Sequence, residues 1–100
     1  KRKRVCIISK DHELVRKYIV ESLNRGCSLY EVKGGYSGEV NIEIQTLLTQ
    51  EEFGNLMSMM RSKGIPAFIT AGNVSEIYGL WNNQKHHKTR KVRPRTDLPD

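Results

Sequence analysis

Glu39-Val40-Asn41-Ile42-Glu43-Ile44-Gln45-Thr46-Leu47-Leu48 runs without a break into Thr49-Gln50-Glu51-Glu52. Val40, Ile42 and Ile44 alternate with Asn41, Glu43 and Gln45, so the first stretch predicts a strand with one buried and one polar face. The next four residues form a capping box, with Thr at the cap and Glu three positions on. Phe53, Leu56, Met57 and Met60 then follow at i, i+3, i+4 and i+7, a helix with one apolar stripe that Gly64 ends. The three Met residues read as core filler on that stripe.

Working back from this unit, Cys27 to Lys33 is β-branched and aromatic and predicts a strand. Gly34-Gly35-Tyr36-Ser37-Gly38 is its turn. Before it, Val15, Ile19 and Leu23 recur every four residues, with Leu14 and Tyr18 beside them, a helix capped by Asp11 and stopped at Gly26. Val5 to Ser9 is short and apolar, a strand. Working forward, Ile65 to Ala71 is a fourth strand, with Pro66 near its start as an edge strand tolerates. Asn73 is placed to cap a last helical turn carrying Val74, Ile77 and Tyr78. Leu80 and Trp81 close the apolar pattern. The order β-α-β-β-α-β is that of an α+β, ferredoxin-like sandwich. Right-handed crossovers put both helices on one face of a four-stranded antiparallel sheet. The other face is open, and strands that read apolar on both faces, Val5 and Ile7 against Cys6 and Ile8, Ala67 and Ile69 against Phe68, make it apolar enough to need a cover, most simply a second copy.

A chain of 100 residues holds one small core. Its net charge of +6 is unevenly spread. Lys1 to Arg4 carry +4, and residues 82–100 carry six Lys/Arg against two Asp. Residues 5–81 carry seven Lys/Arg against nine Asp/Glu, so the globular part is slightly acidic. The expected organisation is a basic flank at 1–4, a domain at 5–81 and a basic tail at 82–100, the whole cut from a longer protein. Basic ends suit phosphates or an anionic membrane surface. Base-stacking modules of this topology place aromatics on the first and third strands. Val5 to Ser9 and Val40 to Leu48 have none, which weighs against nucleic acid as a partner. Cys6 and Cys27 match no metal or redox spacing and read as reduced core thiols, a single disulfide being the alternative.

No nucleophile motif is present, and Ser9, Ser28 and Ser37 each lack a recognisable base partner. His12, His86 and His87 lack carboxylates at ligand spacing, so neither an enzyme, a metal nor a cofactor is expected. Two features stand out. Gly34 to Gly38 holds three glycines in five positions, which lets backbone amides approach an anion, with Tyr36 as a stacking face and Ser37 as a donor. A flexible hairpin is the plainer alternative. Arg25 sits at a helix C-terminus, where it complements the dipole. The sharper alternative is an anion contact across a subunit interface.

Arg25-Gly26-Cys27-Ser28, Gly35-Tyr36-Ser37-Gly38, Pro66-Ala67-Phe68-Ile69 and Glu76-Ile77-Tyr78-Gly79 come in this order. The set resembles the cytosolic C-terminal domain of YitT-type bacterial membrane proteins over about residues 3–81. It departs from that family's pattern at Gly64-Ile65-Pro66, where Asp-Pro is usual, and at the closing Gly79-Leu80-Trp81, one glycine short. The resemblance implies a fold similar to PII signalling proteins, trimers that bind nucleotides between subunits. It also implies an attached membrane region, with the domain at the cytoplasmic face. The resulting expectation is a non-enzymatic regulatory domain that forms a homo-oligomer, a trimer by this resemblance. It would bind a nucleotide through Arg25, Ser28, Gly35, Tyr36, Ser37 and Gly38. A ligand-free oligomerisation module of the membrane protein is the alternative.

Overall fold

A computed structural model describes residues 2–75. Its elements are β1 (Arg2–Ile8), α1 (His12–Lys17) continued by a π-helical turn (Tyr18–Ser22), β2 (Ser28–Lys33), β3 (Val40–Thr49), α2 (Gln50–Ser62) and β4 (Phe68–Val74). The strands form one antiparallel sheet in the order β2-β3-β1-β4. Both helices pack on one face, over β3 and β1, giving the expected ferredoxin-like α+β sandwich. Residues 76–81, the Glu76-Ile77-Tyr78-Gly79 motif, His86, His87 and the basic tail lie outside the described residues.

Alternation explains the core. Val5 and Ile7 of β1 stand opposite Thr46 and Ile44 of β3, and Leu48 follows on the same face. Val5, Ile7, Ile44 and Leu48 are fully buried against Val15, Ile19 and Leu56. Each such side chain contributes about 1.5–3 kcal/mol by leaving water. Met60 completes this core, while Met57 and Met59 pack at its edge. Leu14 is 48% exposed and stands off the stripe to which its spacing assigned it.

The boundaries differ from expectation in ways that the pairing explains. β1 begins at Arg2, not Val5, so Arg2 to Arg4 belong to the sheet and not to a flank. Strands tolerate this because side chains alternate. Arg2 and Arg4 point to the open face, while Lys3 turns to the helix side, lies 5.7 Å from the Phe53 ring centre and donates to Asn73 Oδ1 at 3.0 Å. The longer β1 gives β4 partners as far as Val74. Asn73 and Val74 are therefore strand residues, and Asn73 caps no helix. At its other end β4 starts late. The Ile65 amide donates to the Met60 carbonyl (2.9 Å), and buried Ser9 donates through its hydroxyl to the Pro66 carbonyl (2.8 Å). Ile65 and Pro66 thus close the turn after α2 instead of starting the strand.

The first helix also stops earlier than Gly26. Leu23 N–H donates to the Tyr18 carbonyl at 3.0 Å, a π-type bond, and Asn24 takes the left-handed conformation at φ 58°. Asn tolerates that region better than other residues with a side chain. Asp11 occupies the cap position, yet its side chain caps nothing. The Ser9 hydroxyl accepts from the Asp11 amide instead (3.1 Å).

Leu47 and Leu48 are neighbours in β3 on opposite faces, 39% and 0% exposed. Leu48→Ala should lower stability by about 2–5 kcal/mol in urea unfolding. Leu47→Ala should cost less than half as much. Equal losses would contradict the assigned faces.

Candidate functional site

The expected site residues fall at two ends of β2. At one end, the capping box is present: the Thr49 hydroxyl accepts from the Glu52 amide (3.1 Å), and Glu52 Oε1 accepts from the Thr49 amide (2.9 Å). The same carboxylate takes the Arg25 Nε–H, at 3.1 and 2.9 Å from its two oxygens. Arg25 therefore ties the exit of the first helical segment to the start of α2 through an ion pair, and does not simply face its own helix dipole. Burial raises the Glu52 carboxyl, but the Thr49 amide and the Arg25 guanidinium outweigh it and hold the group below the usual carboxylate range. Nearby, the Thr46 hydroxyl donates to the Gly26 carbonyl at 2.8 Å. Ser28 is buried at the first position of β2, opposite Gln45. Cys6 and Cys27 are half-buried free thiols, and burial pushes the Cys27 thiol up.

At the other end lies the glycine loop. It is already closed on itself: Gly34 N–H donates to the Glu39 carbonyl (2.8 Å) and Gly38 N–H to the Gly34 carbonyl (2.9 Å). The Glu39 amide donates to the Ser37 hydroxyl (3.1 Å). A Cβ on Gly34 would come within 2.8 Å of that hydroxyl, and Gly38 has φ +74°, so both glycines serve the turn itself. Among the described residues, the amides of Gly35, Tyr36 and Ser37 meet no acceptor. Tyr36 is fully exposed. The loop thus offers three adjacent donors beside an aromatic ring. Five residues of β2 separate it from Ser28, about 17 Å at strand rise. One protomer does not bring Arg25 and Ser28 together with Gly35, Tyr36, Ser37 and Gly38.

The sequence reading also overlooked the far end of the open sheet face. Tyr30, Glu43, Ile8 and Phe68 form one row across it, then Gln45, Cys6 and Thr70, then Leu47, Arg4 and Gly72. Phe68 is 66% exposed. Arg4, Cys6, Thr70 and Gly72 line a shallow depression of about 430 Å³. Gly72 supplies no side chain, which leaves space beside the Arg4 guanidinium. The face is apolar at one end and basic at the other, so it is less uniformly apolar than the sequence suggested. The signal for Arg4 was its alternation with Lys3 and Val5.

Comparison with known families places this architecture. A family described as an uncharacterised protein conserved in bacteria, DUF2179, matches residues 25–79, more than half of the chain. The chain belongs to the DUF2179 family. It is 29% identical over 73 residues to an uncharacterised protein in the cccA 5' region of Bacillus sp. (strain PS3), and 25% identical over 77 residues to the UPF0750 membrane protein YvjA of Bacillus subtilis (strain 168). These alignments cover 73% and 77% of this chain, but only 49% and 27% of the relatives. The DUF2179 chain thus spans half or less of the length of these curated relatives.

Solved structures agree on the fold. A DUF2179 protein from Eubacterium ventriosum superposes with a TM-score of 0.62 at 14% identity, over 72% of this chain and 99% of that one. A protein from Pediococcus pentosaceus gives 0.60 at 10%, over 76% and 93%. A putative PII-like signalling protein from Thermus thermophilus gives 0.55 at 16%, over 73% and 84%. No helix among the described residues is long and apolar enough to cross a membrane.

The Glu52 carboxylate sets a pH dependence. Because its native value is lowered, its contribution is complete above its unfolded value of about pH 4.3 and is lost as pH falls through the native value. Glu52→Gln keeps an N3 side chain able to reach the cap but removes the charge. At pH 7 the variant should be less stable by roughly 1 kcal/mol. That gap should close as urea midpoints are followed below pH 4.3. A gap that stays constant would remove the ion pair from the account.

Proposed function

We propose that the chain is a non-enzymatic regulatory domain on the cytoplasmic side of a YitT-type bacterial membrane protein. It associates with further copies of itself and binds a small anionic ligand, a nucleotide, at the boundary between protomers. The observation that carries the ligand is the loop tip, where three adjacent amides without acceptors adjoin the exposed Tyr36 ring. A phosphate suits the amides of Gly35, Tyr36 and Ser37, and a base suits the ring. Gly38 and the Ser37 hydroxyl shape the turn. Arg25 and Ser28 approach the ligand only from a neighbouring protomer, and the Arg25 charge is already shared with Glu52. Membrane attachment is supported by the sequence motifs and by the membrane-protein relative, which extends well beyond the region matched here.

A second reading, assembly without a ligand, is favoured by the open sheet face with its exposed Phe68. It assigns the domain the task of joining copies of its parent protein.

The two readings separate in a thermal-shift panel of nucleotides and dinucleotides on the 100-residue chain. A ligand at a hundred times its Kd adds about 2.7 kcal/mol, a rise in Tm of roughly ten degrees or more in a domain of this size. One nucleotide should give this rise, and Tyr36→Ala should remove it without changing the unliganded Tm. A flat panel defeats the ligand reading. Sedimentation equilibrium then tests assembly: Phe68→Glu should convert an oligomer to a monomer. A wild-type chain that is monomeric at all concentrations defeats both readings.

A further inference from the structure

The open sheet face carries two features that find no match within one protomer. The first is charge. Arg4 of β1 and Glu43 of β3 both stand on this face, and among the described residues neither has an ion-pair partner. Leu47 is the residue of β3 opposite Arg4, and Glu43 lies four residues further along, about 13 Å away. The two charges therefore do not meet. The second feature is shape. Phe68 projects at one end of β4, 66% exposed. Toward the other end Gly72 leaves the depression of about 430 Å³, where an added Cβ would meet nothing within 4 Å.

We propose that this face pairs with itself about a two-fold axis that crosses the strands at the level of Cys6, so that two sheets stack with their strands antiparallel. The geometry rests on the association of copies proposed from the same face, and adds how they meet. Such an axis lays each strand over its own copy and makes every contact twice. Phe68 and Gly72 flank Thr70 at equal distance on β4, as Ile8 and Arg4 flank Cys6 on β1. The rotation therefore exchanges the two rows.

Both mismatches are resolved by that exchange. Arg4 lies over the partner's Ile8, one strand spacing of about 5 Å from the partner's Glu43. The partner's Phe68 lies over Gly72 and enters the depression. A space of about 150 Å³ holds a benzene-sized ring, so the depression has room for it. Arg4 then stands between an anion and an aromatic ring, both of which suit a guanidinium. An axis along the strands, between β1 and β3, would instead set Arg4 beside the partner's Arg4 and Glu43 beside the partner's Glu43, and like charges across an interface cost affinity. In the antiparallel stack β2 runs opposite to the partner's β2. The glycine loop of one copy thus comes to the end of the sheet at which the partner's Arg25 lies.

Sedimentation equilibrium on the 100-residue chain tests the geometry. The chain should be a dimer. Arg4→Glu or Glu43→Arg alone should raise the dimer Kd by about tenfold or more, because each sets like charges together twice. The two changes in one chain exchange the charges and should return Kd close to the wild-type value. Gly72→Val fills the depression without crowding its own protomer at Cβ. It should weaken the dimer and leave the far-UV circular dichroism spectrum, which checks the fold of every variant, unchanged. A trimer, an oligomer that the single charge reversals leave intact, or a double variant as weak as the singles overturns this geometry and leaves the association of copies standing. A chain that is monomeric at all concentrations overturns both.

Discussion

The register of β1 between β3 and β4 is the constraint on which the other placements depend. β1 is a central strand, paired along both edges for its whole length. Its residues assign every facing residue of its neighbours to the helix side or the open side. Val5 and Ile7 set Ile44, Thr46, Ile69 and Ala71 toward the helices. A slip of one residue would turn Arg4 and Cys6 inward. Burying an unpaired guanidinium costs far more than any gain from the exposed apolar residues. The basic residues thus act as register markers as much as charges. Lys3 is the exception, and its long stem lets the ammonium run past the Phe53 ring to Asn73.

A second constraint works at one end of the sheet. The Glu52 carboxylate accepts from the Thr49 amide and from Arg25, and so joins the end of β3, the start of α2 and the segment before β2. A cation used in this way stabilises the domain and is less free to hold a ligand. The glycine loop at the far end of β2 has no such tie to the core. Among the described residues, the ion pair beside it, Glu39 with Lys10 at 3.2 Å, is largely exposed and worth little. The domain has a fixed end at Arg25 and Glu52 and a freer end at Tyr36.

Much of this was legible because it is local. The alternation of Val40, Ile42 and Ile44, the Thr49 to Glu52 box and the stripe through Leu56 and Met60 each lie within a few residues. Together they fixed the element order and hence the fold. What escaped depends on distant partners. Arg2 to Arg4 resemble a solvated flank until β3 and β4 are seen pairing with them. Gly72 to Val74 join a strand because β1 is long enough to meet them. The π-helical turn and the left-handed Asn24 leave no mark in a periodicity that still reads Val15, Ile19, Leu23. At the site, the glycine loop was visible from composition alone. The partner of Arg25 was not, since Glu52 lies 27 residues away.

The weakest part of the architecture is also where its proposed contacts converge. β4 pairs with β1 alone, and most of its residues are exposed on both faces. Phe68 and Thr70 look onto the open face, where a second copy would pack. Ile69 and Ala71 look to the helix side, beside the groove between α2 and β4. A strand held on one edge gains proportionately more from each covering contact than a central one does. The register set by β1 decides which residues of β4 look to each side.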